Sequence, residues 1–276
     1  MRPLLAPDVR AIMSLPRGPQ RDRAPDWVAG GTPPRLRDDL VALLGSDRVL
    51  TRPIDLIRYA TDASPYRLFP KVVVIARTVD DVRKVLDYAR QKHESVTFRS
   101  AGTSLSGQAQ SDGILVDVRR HWAGVNVEAG GRRLRARPGT ILSRANLALV
   151  AHGYRLGPDP ASASACTIGG VIANNSSGMC CGTTQNSYKT LSSLTFMLPS
   201  GMLIDSARPD AEQQFAAAEP ALVAGLMEIK REIEADPELV ARLRKKFSIK
   251  NTTGYHMEAF LDGSTPLEIL DRKSVV

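Results

Sequence analysis

Two stretches of this chain carry residue types at spacings that could do chemistry, and both are suited to holding a ligand rather than attacking one. The first is Arg99-Ser100-Ala101-Gly102-Thr103-Ser104-Leu105-Ser106-Gly107-Gln108. It follows a short apolar run and combines two glycines with a crowd of hydroxyls. Glycine removes the Cβ atoms that keep a backbone away from a ligand, and successive N–H groups can then wrap an anion. Gly102 and Gly107 stand at P-loop spacing, but Gln108 and Ala109 occupy the places where that loop needs Lys and Ser or Thr. The dinucleotide fingerprint G-x-G-x-x-G is absent too. On spacing alone, a phosphate cradle and an ordinary strand-to-strand loop both stay open.

The second stretch runs through Pro158-Asp159-Pro160, Ala165-Cys166-Thr167-Ile168-Gly169-Gly170, Asn174-Asn175-Ser176-Ser177-Gly178 and Gly182-Thr183-Thr184. So many small polar residues could form a flexible linker. Ile168, Val171, Ile172 and Ala173 argue against that, because they give the segment something to bury. Small residues between apolar anchors fit a backbone packed against a large flat ligand. No catalytic residue stands out. His93, His121, His152 and His256 show no metal-ligand pairing and read as surface or helix-end residues. Adjacent Cys180 and Cys181 point apart and, with Cys166, are too few for a disulfide framework.

The elements that must position these loops are legible around them. Leu36, Leu40, Leu43 and Leu44 form one helical face, stopped by Gly45. Val72–Ala76 is a buried-type strand, Thr78 an N-cap, and Val79, Val82, Val85, Leu86 and Ala89 the stripe of the helix that follows. Ser95–Arg99 and Ile114–Val118 are further strands. Val125–Glu128 and Arg133–Arg137 alternate about Gly130-Gly131, which predicts a hairpin. Helices are expected over about 141–151, over about 220–233 and after Pro237, with a second hairpin over Leu191–Leu198 and Met202–Ile204. Residues 153–190 read as loop. Residues 263–270 start a helix that, cut so soon, could not bury its apolar face.

The whole is an α+β chain of 276 residues, long enough for a sizeable core. Its divisions are a disordered basic tail over 1–34, a helix and lead-in over 35–70, the ligand-holding domain over 71–270 and a non-native tail over 271–276, the natural protein being expected to continue. The net charge of +8 is spread out, which suits a small anionic ligand better than nucleic acid. Aromatics at 5% are too few for a single-strand stacking platform. No apolar run approaches the roughly 20 residues of a membrane helix. A cytoplasmic protein is expected, at most peripheral to the inner membrane face.

A strand ending in Arg99, then Gly102-Thr103-Ser104-Leu105-Ser106-Gly107-Gln108, then Pro158-Asp159-Pro160, Thr167-Ile168-Gly169-Gly170 and Asn174–Gly178, resembles the FAD-binding domain of the vanillyl-alcohol oxidase/p-cresol methylhydroxylase (PCMH) superfamily. Within it the likeness is to D-lactate dehydrogenases and glycolate oxidase D-subunits, and Ser177–Tyr188 points to large bacterial members with a C-terminal iron–sulfur domain. The resemblance spans about residues 35–270. It implies a two-subdomain PCMH-type fold, C-terminally incomplete here, with Ser100–Gln108 as the pyrophosphate loop. Pro158–Pro160, Ala165–Gly170 and Asn174–Gly178 would line the isoalloxazine and ribityl chain, with Gly182 and Thr183 close by. The flavin would be non-covalent, since the first loop has no histidine. The implied activity is FAD-dependent oxidation of a D-2-hydroxy acid, D-lactate first, with D-2-hydroxyglutarate and glycolate as rivals. The implied electron acceptor is a cytochrome or quinone. An iron–sulfur cluster would belong to the absent C-terminal part.

Overall fold

The computed structural model describes residues 24–251 and 255–272. Helix α1 (Pro34–Leu44) leads into the short strand β1 (Val49–Leu50) and helix α2 (Pro53–Tyr59). Strand β2 (Val72–Ile75), helix α3 (Val79–Lys92), strand β3 (Val96–Arg99) and strand β4 (Ile114–Asp117) complete the first unit. The sheet order is β1-β2-β4-β3, with β4 parallel to both β2 and β3 and β1 antiparallel to β2.

Strands β2 and β4 are buried on both faces, as their unbroken apolar runs require. Alternate side chains feed two separate cores. Val72, Val74, Ile114 and Val116 meet Leu36, Leu40 and Leu44 of α1 and Val82, Val85 and Ala89 of α3. Val73, Ile75 and Leu115 face the other way, against Val28, Leu56, Ala60 and Phe69. Each fully buried Val or Leu contributes about 1.5–3 kcal/mol, so this sandwich fixes where the C-terminal ends of β2, β3 and β4 lie. Helix α3 starts on a capping box: Thr78 Oγ1 accepts from Asp81 N (3.1 Å) and Asp81 Oδ2 accepts from Thr78 N (3.1 Å). It ends at His93 in the left-handed conformation.

The second unit begins with the hairpin β5 (Val125–Glu128) and β6 (Arg133–Ala136), followed by α4 (Leu142–Val150), α5 (Ile168–Ala173) and α6 (Ser187–Thr190). A hairpin of β7 (Thr195–Met197) and β8 (Leu203–Asp205) precedes α7 (Ala211–Ala218), α8 (Pro220–Glu234), α9 (Pro237–Phe247), α10 (Ala259–Asp262) and α11 (Pro266–Arg272). These helices share a core of Phe215, Leu226, Ile233, Leu243, Phe247, Phe260 and Ile269.

The mixed α+β architecture matches the sequence reading, with local corrections. The tail expected over 1–34 does not reach residue 34. Asp26–Gly30 forms a 3-10 helix whose Val28 is buried, and α1 begins at Pro34; residues 1–23 lie outside the described residues. Helix α5 falls inside a segment expected to be loop. Helix α11 does bury its apolar face, because Leu267 and Ile269 join the core of the helical unit. It also runs through Asp271 and Arg272, the first two residues of the expected non-native tail, of which 273–276 lie outside the description.

Candidate functional site

Strands β3 and β4 are parallel neighbours, so the connection Ser100–Gly113 must travel back along the length of the sheet. Such connections need about a dozen residues or more and are usually helices; here it is an irregular loop. Its far end is pinned by Gln110, whose buried Nε2 donates to Asp62 Oδ1 (2.8 Å), Ser64 Oγ (3.1 Å) and Tyr66 O (2.9 Å). Burial pushes the Asp62 carboxyl up, but the bonds it accepts from Ser64, Gln110 and Ala109 outweigh that and hold it below the usual range.

The near end is pinned by Arg99, which donates to Ala109 O (2.9 Å) and Thr61 O (2.7 Å). Gly102 lies directly under that guanidinium, at φ +68°, and a Cβ there would overlap it. Ser104 Oγ accepts from Ser106 N (3.2 Å) and Gln108 N (3.4 Å) and donates to Gln108 Oε1 (2.9 Å). Gly107, at φ +76°, packs on Tyr66, while Leu105 is 76% exposed. Between these anchors the backbone N–H groups of Ala101, Gly102, Thr103, Ser104 and Leu105 donate to no acceptor among the described residues. A run of free N–H groups turned through a left-handed glycine at a strand's C-terminal end is an anion nest.

The second stretch comes to meet the first. The hydroxyls of Ser100 and Thr167 are hydrogen bonded, and Thr167 is buried at the N-cap of α5. Thr167 pairs with Ile141 in an isolated bridge, Ile168 N donates to Thr140 O (2.9 Å), and Gly169 N donates to Pro138 O (2.8 Å). A Cβ at Gly169 would press on Pro138, so glycine is required by contact there. Cys166 is buried under α5 while Ala165 and Gly170 are exposed, and burial pushes the Cys166 thiol pKa up. Asn174 caps the end of the helix, its N–H donating to Gly170 O (3.1 Å).

Further on, the Pro158-Asp159-Pro160 turn runs beside Ser177-Gly178: Asp159 N donates to Ser177 O (2.8 Å), and Cys180 N reaches both Asp159 carboxylate oxygens at 3.2 Å. Gly182, at φ +57°, is exposed, and Thr183 shares a cavity wall with Ser177. Asn175 stands apart from the rest. It is buried, its Oδ1 accepts from Tyr188 N (2.9 Å) and its Nδ2 faces His256 Nδ1 (3.4 Å), so its amide is engaged within the helical unit.

Sequence reasoning missed two features. Arg119 and Arg120, immediately after β4, join Arg144, Gly124, Gly139, Thr140 and Ile141 around a cavity of about 500 Å³. Thr140 and Ile141 are the residues that bond and bridge Ile168 and Thr167, so this basic cavity adjoins the junction of the two stretches at the C-terminal end of the sheet. Open parallel sheets bind ligands at that end. The readable signal was the Arg-Arg pair at the end of a buried strand. The second is His256, read as a surface or helix-end residue. It is 6% exposed and packed between Tyr188 and Phe247, with ring centroids 4.2 and 4.5 Å away. Its partners come from α6 and α9, far apart in sequence, so no local pattern announces its burial.

Residues 70–207, half of the chain, match the FAD binding domain family. The chain belongs to that family. Among curated proteins it is 31% identical over 211 residues to a D-2-hydroxyglutarate dehydrogenase of Pseudomonas putida, covering 74% of this chain and 21% of that one. It is 34% identical over 130 residues to glycolate oxidase subunit GlcD of Escherichia coli, covering 46% and 26%. The chain thus spans about a fifth to a quarter of these relatives. Among solved structures, p-cresol methylhydroxylase superposes with a TM-score of 0.53 at 17% identity, over 63% of this chain and 36% of that one. Alkyldihydroxyacetonephosphate synthase gives a TM-score of 0.53 at 18% identity, over 63% and 36%. These neighbours confirm the PCMH-type FAD-binding fold. FAD is the cofactor, and the residues present fit it: the free N–H run after β3 suits its pyrophosphate.

Proposed function

We propose that this chain is the flavin-holding part of an FAD-dependent oxidoreductase that oxidises a small D-2-hydroxy acid. The observation that carries the reading is the run of unpaired N–H groups at Ala101–Leu105, joined through Ser100 to Thr167. The FAD pyrophosphate would lie on that run, and the Arg119–Arg120–Arg144 cavity beside it would balance the phosphate charge. Gly169, whose packing on Pro138 keeps α5 close to the loop, and the Asp159–Gly178 pairing would hold the second wall. When bound, FAD supplies the hydride acceptor. This chain's residues orient it, neutralise its phosphates and exclude water from one side.

The substrate class rests on the relatives. Those named above are a D-2-hydroxyglutarate dehydrogenase and a glycolate oxidase subunit, and a D-lactate dehydrogenase of Archaeoglobus fulgidus is 30% identical over 128 residues. We retain D-lactate as the first substrate to test, with D-2-hydroxyglutarate and glycolate beside it, and a cytochrome or quinone as acceptor. Among the described residues no helix is long and apolar enough to cross a membrane.

The decisive experiment is titration of the purified chain with FAD, followed by gel filtration. Flavin absorbance co-eluting with folded wild type, and weakened about tenfold in Thr167→Val, supports the reading. Folded protein that elutes without flavin at saturating FAD refutes it. Anaerobic bleaching of the flavin in the longer natural protein by each of the three acids then ranks the substrates.

A further inference from the structure

Against the second flavin stretch, with which it shares Ser177 and Thr183, the helical unit holds a cavity of about 450 Å³. His256 lines it. Asn175 is oriented by its own bonds: Oδ1 accepts from Tyr188 N, so Nδ2 is the atom presented to His256 Nδ1. An amide Nδ2 can only donate, so Nδ1 accepts. Burial first, and then the Lys189 ammonium, pull the imidazole pKa down to about 4, with Asp262 working weakly the other way. The ring is therefore neutral at ordinary pH and carries its one proton on Nε2. That Nε2–H is buried and has no hydrogen-bond acceptor among the described residues; Glu258 Oε2 lies 3.6 Å away. A buried donor left unmade is unfavourable, which marks it as a group awaiting an acceptor.

The rest of the lining says what kind. Lys189, which also pairs with Asp262 (3.0 Å), and Lys250, which also donates to Gly178 O, line the cavity with Glu258. With Arg244 bridging Glu258 and Asp262, three cations stand against two carboxylates here. Ser177, itself 5% exposed, and Thr183 add hydroxyls. We infer that this cavity is an anion site, built to take a small carboxylate on the Nε2–H of His256 between Lys189 and Lys250. The imidazole supplies a directed neutral donor, and the lysines supply the charge. A hydroxy-acid or 2-oxo-acid carboxylate and a free phosphate share the required chemistry, and the size admits either. The inference rests on His256, Lys189 and Lys250, none of which the flavin reading uses, although Ser177 and Thr183 belong to both.

The test uses the full chain with ¹⁵N-labelled histidine, titrated separately with oxalate, D-lactate and inorganic phosphate while the imidazole Nε2 resonances are followed by NMR. A carboxylate should move one of the four histidine signals saturably, and that signal should vanish from the spectrum of His256→Phe. Lys250→Met, on the exposed side of the cavity, should weaken carboxylate binding about tenfold, the order of one charge-assisted hydrogen bond. Saturation by phosphate alone would assign the site to phosphate and overturn the carboxylate. No saturable movement of the His256 signal with any of the three, or wild-type affinity in Lys250→Met, would overturn the site itself. Should His256→Phe fail to fold, the Lys250→Met titration decides alone. Flavin uptake, read by absorbance, is scored separately, so failure of either reading leaves the other visible.

Discussion

Gly102 shows how a residue singled out for a ligand can carry a packing role that the sequence does not announce. The sequence placed it against a ligand; the structure also places it against its own Arg99. Substitution by valine then does two things. It imposes a positive φ on a β-branched residue, at about 1–2 kcal/mol, and it drives the guanidinium off Thr61 and Ala109. Gly102→Val is expected to lower thermal stability as well as FAD affinity, and paired melting and FAD titrations check this; an unchanged melting temperature would restore the ligand-only role. His256 makes the complementary case. Its folded pKa of about 4 lies below the ordinary 6.5, so as pH falls through 6.5 the unfolded chain takes up a proton the folded chain refuses. Stability should fall between about pH 6.5 and 4, by about 3 kcal/mol in the limit, and His256→Phe should flatten that slope in urea melts. Below pH 4 a second loss is expected from Asp262. Burial raises its pKa, but bonds from Arg244, Tyr188 and Lys189 prevail and hold it at about 2. Neither its environment nor that of His256 could be read from sequence, because each is assembled from helices far apart along the chain.

At the scale of elements, legibility followed local self-sufficiency. Strands β2 and β4 and helix α3 were readable because their apolar periods and the Thr78 cap are contained within themselves. Thr78→Ala should remove about 1 kcal/mol, measurable as a shift in urea midpoint with an unchanged m-value; a change in m-value would point elsewhere. Helix α5 was not readable, since Gly169 and Gly170 at its start look like loop. It exists because Pro138 and Thr140 accept the N–H groups of its first turn and because Thr167 is tied to Ser100. Helix α2 was hidden for a related reason: too short for a period, it is held by Leu56 in the second core. The two candidate stretches could be singled out as residues, while the junction between them, and the basic cavity beside it, appeared only once the elements were packed.

At the scale of the whole molecule, FAD would join two units with separate cores, one around β2 and β4 and one around Phe215 and Phe260. A cofactor binding only the folded form should raise stability by about 2.7 kcal/mol at one hundred times its dissociation constant. Trp122, whose indole donates to Ala76 O at 2.8 Å near the ends of the strands, offers an optical report: FAD should quench its emission along the same isotherm as the melting shift. Divergent isotherms would mean that the flavin binds elsewhere. The lone neighbour of β3 has a further consequence. This strand lies at one end of the sheet order, paired to β4 and half exposed along its length, and its only tether onward is the very loop that would close over the pyrophosphate. Strand and loop should therefore peel and reseal as one unit, exchanging amide hydrogens sooner than β2 or β4 in the apoprotein. The flavin would then act as a latch on this margin of the sheet, and amide exchange slowed at Val96–Phe98, back along the strand from the loop, would be its signature.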